Sequence, residues 1–144
     1  MNAPHAGTLL VLDTNIVLDL WVFDDAAAQP LRYALQQRHA RWIATVAMRD
    51  ELQRVLGYPQ IVPRLAHYGL QADGVLQTFD AHALIHEPAP KADVTCKDPD
   101  DQKFIDLAVM HRALLLSKDA LVLAMRKRLQ ARGSDVLRAF TPPA

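Results

Sequence analysis

Short apolar runs that alternate with helix-like stretches are the strongest constraint this chain places on its own fold. Strands read over 8–12, 41–45, 83–87, 114–116 and 136–140, where apolar residues cluster between turn formers. Helices read over 15–22, from a cap at Asp24 or Asp25 to about 38, and over 46–56, 60–68, 71–82, 98–111 and 119–131, where apolar spacing returns every three or four residues. Gly57, Gly69 and Gly133 mark helix ends, and Asp98-Pro99 marks a start, with an acid at the N-cap and proline at the first helical position. Strand–helix alternation implies an α/β fold with a parallel sheet and right-handed crossovers. A length of 144 residues, with no repeat, linker or low-complexity segment, predicts a single domain over 1–144.

In such an alternation each strand's C-terminal end and each helix's N-terminus fall on one edge of the sheet, because every crossover returns the chain to its starting side. That edge collects acids far apart in sequence. Asp13 leaves the first strand, Glu51 sits in the second turn of the helix after the second strand, Asp101 is in the first turn of the helix before the fourth strand, and Asp119 leaves the fourth. Helical spacing separates Asp101 from its neighbours: it shares a stripe with Phe104, Ile105 and Ala108, whereas Asp100 shares one with Lys103 and Leu107. Carboxylates gathered in a cleft repel one another until a cation or a proton relieves them. Oxygen ligands alone select hard ions such as Mg2+ or Mn2+. Two such ions roughly 4 Å apart activate a water and stabilise the leaving oxygen of a phosphodiester.

Taken singly, Asp13 and Asp119 also read as helix caps and Glu51 as a surface acid; their joint placement favours a site. Thr14 and Asn15 either orient Asp13 or cap the following helix, and Ser117 has the same two readings beside Asp119. His82 and His86, four residues apart, lack a third ligand and read as surface or interface histidines. Asp19, Asp24, Asp25 and Asp106 read as solvent or capping acids, and Asp98 as a supporting member of the acid group.

Sixteen basic residues balance sixteen acidic ones, so any footprint for nucleic acid must be local. Its candidates are Arg126, Lys127, Arg128 and Arg132 near the C-terminus, and Arg38, Arg41, Arg49, Arg54 and Arg64 earlier, each of which also reads as part of a solvated helix face. Cys96 is the only cysteine, which excludes an intramolecular disulfide and a four-cysteine zinc site, and reads as a passive thiol. No apolar stretch approaches the roughly 18 residues of a membrane span, and Met1 to Gly7 lacks a signal-peptide pattern. A cytoplasmic protein without a membrane partner is expected.

The segments VLDTN, Glu51, DPDDQKFIDLAV and LLLSKD, in that order, resemble the PIN-domain family, particularly its compact single-domain prokaryotic members that serve as toxins of toxin–antitoxin systems. The resemblance implies a three-layer α/β/α, Rossmann-like PIN fold with about five parallel strands and helices on both faces. It also implies an Mg2+- or Mn2+-dependent endoribonuclease, an RNA substrate, a small cognate antitoxin encoded nearby, and homodimer formation. Asp13, Glu51, Asp101 and Asp119 take the catalytic and metal-binding positions, with Asp98, Thr14, Asn15 and Ser117 in support. Asp98 and Asp101 compete for the third position, and the helical stripe favours Asp101.

Two other functions fit parts of the pattern. A haloacid-dehalogenase-like phosphatase also places an Asp after its first strand but needs a general acid two residues on, where this chain has Asn15. A non-catalytic PIN-like module that binds RNA or protein is the other.

Overall fold

Leu10, Val11 and Leu12 are buried because their strand lies at the centre of a sheet covered on both faces. The computed structural model describes residues 8–141; the reading of Met1 to Gly7 falls outside them. Along the chain come β1 (Thr8–Leu12), α1 (Thr14–Trp21), a 3-10 turn (Ala26–Ala28), α2 (Gln29–Gln36), β2 (Ala40–Ala44), α3 (Val46–Leu56), α4 (Val62–His67), α5 (Ala72–His82) and β3 (Ala83–Ile85). A second 3-10 turn (Pro99–Asp101) leads into α6 (Gln102–His111), followed by β4 (Leu114–Leu116), α7 (Ala120–Leu123), α8 (Arg126–Gln130) and β5 (Asp135–Leu137).

The strands form one sheet in the order β3-β2-β1-β4-β5, and every neighbouring pair is parallel. Right-handed crossovers put the helices that link β1 to β2 to β3 on one face, and those that link β3 to β4 to β5 on the other. This is the expected α/β/α arrangement. Trp42 of β2 is 1% exposed and meets Phe79 of α5 edge to face, with ring centroids 4.8 Å apart.

Several expected elements differ in extent: the strand read over 83–87 ends at Ile85, and the helix read from Asp98 begins as a 3-10 turn before α6. The helix read from Asp24 or Asp25 to 38 divides: Asp25 caps the first 3-10 turn by accepting from Ala27 N–H at 2.9 Å, and α2 starts afresh with proline in its first turn. The helix read over 119–131 also divides, because Met125 N–H bonds Val122 O at 3.0 Å and tightens the chain to three-residue spacing. β5 begins at Asp135 and stops at Leu137, since the three residues of β4 offer three partners, Leu114 to Asp135, Leu115 to Val136 and Leu116 to Leu137. Gly133, with φ of +79°, takes the left-handed turn before it, where a Cβ would lie 3.2 Å from the Arg112 side chain.

The loop before α6 is tied down by side chains. Cys96 N–H donates to Gln102 Oε1 at 2.7 Å, Gln102 Nε2 donates to Val94 O at 3.0 Å and to Asp106 Oδ1 at 2.7 Å, and Asp106 Oδ1 also accepts from Ala92 N–H at 2.9 Å. Asp106 is therefore a loop anchor and not the solvent acid its sequence position suggested. Cys96 is buried, and burial pushes its thiol up, in keeping with a passive role.

Replacing Trp42 with alanine leaves a cavity against Phe79 and is expected to cost about 3–5 kcal/mol, read as a lower denaturation midpoint with an unchanged urea m-value.

Candidate metal and catalytic site

The strand order reverses at β1, with β2 on one side and β4 on the other, so the exits of β1 and β4 border the crevice where open α/β sheets bind ligands. Leu12 pairs with Leu116, and Asp13 N–H donates to Leu116 O at 3.0 Å, which sets Asp13 beside Ser117. Asp13 is buried. Its Oδ1 accepts from Thr14 N–H at 2.7 Å and its Oδ2 from Ser117 Oγ at 2.6 Å. The same Ser117 oxygen accepts from Asp119 N–H at 3.0 Å, so one fully buried hydroxyl joins both strand exits. Burial raises the Asp13 carboxyl above its ordinary range; the Ser117 and Thr14 hydrogen bonds pull it down, while the charges of Glu51 and Asp119 push it up.

Glu51 enters from α3, which begins where Thr45 Oγ1 accepts from Met48 N–H at 3.4 Å. Its Oε1 receives Lys103 Nζ at 2.6 Å, and its Oε2 receives the Thr14 hydroxyl. Thr14 thus serves both acids, one through its backbone and one through its side chain. Lys103 Nζ also donates to Asp100 O. Sequence reasoning placed Lys103 only on a stripe with Asp100; its partner is 52 residues away, and no local pattern announces such a pair.

Asp98 opens the turn before α6, its Oδ1 accepting from Asp100 N–H at 3.0 Å. Asp101 ends that turn, half-buried, while Asp100 is exposed. Phe104, Ile105 and Ala108 are buried as the stripe predicts, but Leu107 is equally buried, so α6 is covered on a wider face than one stripe. The Asp101 carboxylate forms no hydrogen bond or ion pair among the described residues. Burial, followed by the charges of Asp13, Asp98, Asp119 and Glu51, pushes its pKa up to about 7. Asp119 caps α7, its Oδ1 accepting from Leu121 and Val122 N–H at 2.8 and 3.3 Å.

Asp13, Glu51, Asp101, Asp119 and Asp98 therefore lie within electrostatic reach of one another. Among the described residues, however, no three His, Cys, Asp or Glu side chains are placed to hold a metal ion. Lys103 holds Glu51, and the α7 N-terminus holds Asp119. The donor set, all carboxylate oxygen, is of the chemical kind that suits Mg2+ or Mn2+.

Other sequence readings resolve differently. Asn15 Oδ1 accepts from Lys118 N–H at 3.4 Å, so it braces the β4 exit and supplies no proton donor to Asp13. Asp19 is buried and pairs with Lys118 Nζ at 2.7 Å, which corrects its reading as a solvent acid; Asp24 is exposed and pairs with Arg32 at 3.0 Å. His82 ends α5 against Trp21 at 5.0 Å, and His86 lies beyond β3 against His111 at 4.8 Å, so the two do not share a helical face. Arg49, Arg126 and Arg132 are committed to Asp80, Asp135 and Asp93, and Arg64 lies over the Phe23 ring at 3.8 Å.

A family model described as PIN domain matches residues 9–120, well over half of the chain. No curated protein matches it.

In EDTA, Asp101 in the folded chain holds its proton up to about 7, against 3.8 for the ordinary carboxyl. The folded state binds more protons between those values, so stability falls as pH rises through that window and levels off above it. Melting curves from pH 5 to 8 are expected to show Tm falling with pH, with the Asp101 part of that slope absent in Asp101→Asn; identical slopes in the two proteins would contradict the assignment. Lys103→Met is expected to cost the metal-free protein between the ~1 kcal/mol of an exposed pair and the ~3–5 kcal/mol of a buried one. The same change should tighten Mn2+ binding in calorimetry, since a competing cation is gone.

Proposed function

The chain belongs to the PIN-domain family, a fold of nuclease type, and from that premise we propose that it is an Mg2+- or Mn2+-dependent endoribonuclease formed by one domain over 1–144. The observation that carries the reading is Asp101: a half-buried carboxyl without a hydrogen-bonding partner, raised to about 7 by burial and by four other acids at the sheet's switch point.

Asp13, Glu51, Asp101 and Asp119 would hold the cation, which when bound supplies Lewis acidity toward an attacking water and the leaving oxygen of the phosphodiester. Ser117 and Thr14 fix the Asp13 carboxylate through both its oxygens. Asp98 holds the turn that presents Asp101. Asn15 and Asp19 brace Lys118 at the exit of β4.

The resemblance to compact prokaryotic members supports a role as the toxin of a type II pair, acting on RNA in the cytoplasm and silenced by a small antitoxin. No helix of the described residues is long and apolar enough to cross a membrane. Leu84 and Ile85, half-exposed on the edge strand β3, supply apolar surface for a homodimer or the antitoxin. The alternative, a module that binds RNA or protein without cutting, draws support from the Lys103–Glu51 pair that neutralises part of the site.

Purified protein with Mn2+ or Mg2+ is expected to cut a long, partly structured RNA, to stop in EDTA, and to lose at least about 100-fold in rate in Asp101→Asn. Cutting that survives in Asp101→Asn would move the third position to Asp98. RNA binding without cutting would favour the module.

A further inference from the structure

Two arginines that no ion pair uses, Arg38 and Arg41, stand on the edge of the sheet away from the acids. Arg38 comes two residues before β2, Arg41 is the second residue of that strand, and His82 directly precedes β3. All three lie where strands begin, whereas Asp13 and Asp119 lie where β1 and β4 end. Together they line a cavity of about 170 Å³ whose other walls, Leu35 and Leu84 among them, are apolar, with no acid in the lining. The neighbouring Asp80 is held by Arg49 at 2.7 Å.

The helices α2 and α5 end beside this cavity, and helix C-termini attract cations, but their last carbonyls have other donors. Leu35 O accepts from Arg38 N–H at 3.3 Å, Ala34 O from His39 N–H at 2.8 Å, and Thr78 O from His82 Nδ1 at 2.9 Å. Neither guanidinium forms a hydrogen bond or ion pair among the described residues. The bond to Thr78 puts the His82 proton on Nδ1 and leaves Nε2 uncommitted, while Trp21 packs against the ring at 5.0 Å. Arg38 has φ of +59°, a left-handed turn that glycine takes without strain, so the turn itself does not call for an arginine.

The cavity is smaller than the roughly 300–1,000 Å³ of ordinary ligand pockets, which suits an anionic head group better than a whole ligand. Three separate basic groups match the three terminal oxygens and near-double negative charge of a phosphate monoester, where a carboxylate offers two oxygens and one charge. We propose that Arg38, Arg41 and His82 bind a phosphoryl group, as inorganic phosphate or as the monoester of a small molecule whose remainder stays in solvent. The site is separate from the acids and does not depend on the nuclease reading.

The test is calorimetric titration of the metal-stripped full chain, in a chloride buffer free of chelator, with inorganic phosphate, with adenosine 5′-monophosphate and with acetate as the carboxylate control. Phosphate or the monophosphate is expected to bind, and Arg38→Gly and Arg41→Gln should each weaken that binding by about tenfold, the factor that one charge-assisted hydrogen bond implies. Glycine suits the backbone at position 38, so the Tm of Arg38→Gly should be no lower than that of the wild type, which separates lost binding from lost folding. Asp101→Asn should bind phosphate as the wild type does. Tighter binding of the monophosphate identifies an organic monoester as the occupant, and tighter binding of phosphate the free ion; either result supports the site. The proposal is overturned by absence of binding, by equal affinities in the wild type and both arginine variants, by acetate bound as tightly as phosphate, or by binding that Asp101→Asn abolishes and the arginine changes do not.

Discussion

The parallel pairing of β1 with β4 is the constraint on which the rest of the structure depends. It is the join at which strand order reverses, and its register brings Asp13 level with Ser117. Once that register is set, a single hydroxyl can serve the exits of both strands, and the neighbouring turns need only deliver Glu51 and Asp101 to the same edge. A slip of one residue would turn Ser117 to the other face and leave the buried Asp13 carboxylate short of a donor.

Gathering acids at one edge raises the free energy of the fold, and the chain meets that cost with three different devices. Asp13 receives two hydrogen bonds, Glu51 receives an ammonium, and Asp101 keeps its proton to near-neutral pH. The proton on Asp101 is the device that responds to pH near neutrality. The site is thus held with one arm rigid, one neutralised and one that responds to its surroundings.

Much of this was legible in the sequence because the signals were local. The apolar run at 114–116 is β4 residue for residue, Asp98-Pro99 opens the segment read as a helix, though as a 3-10 turn before α6, and the four acids lie within reach of one another's charge. What escaped was long-range pairing. Lys103 meets Glu51, Lys118 meets the buried Asp19, and Asp106 holds a loop through Ala92 and Gln102, and in each case the partner is set by tertiary packing with no periodic trace. The divided helices escaped for a related reason: the residues on either side of Ala28 and Met125 have good helical spacing, and the breaks come from three-residue hydrogen bonds that composition does not encode.

Lys103 lies on the same chain as the acids it faces, at a fixed concentration that dilution cannot lower. Its ammonium balances Glu51 from the moment α3 and α6 have packed. The charge of Glu51 is therefore offset within the fold by a group of the chain itself, with no ion drawn from solution.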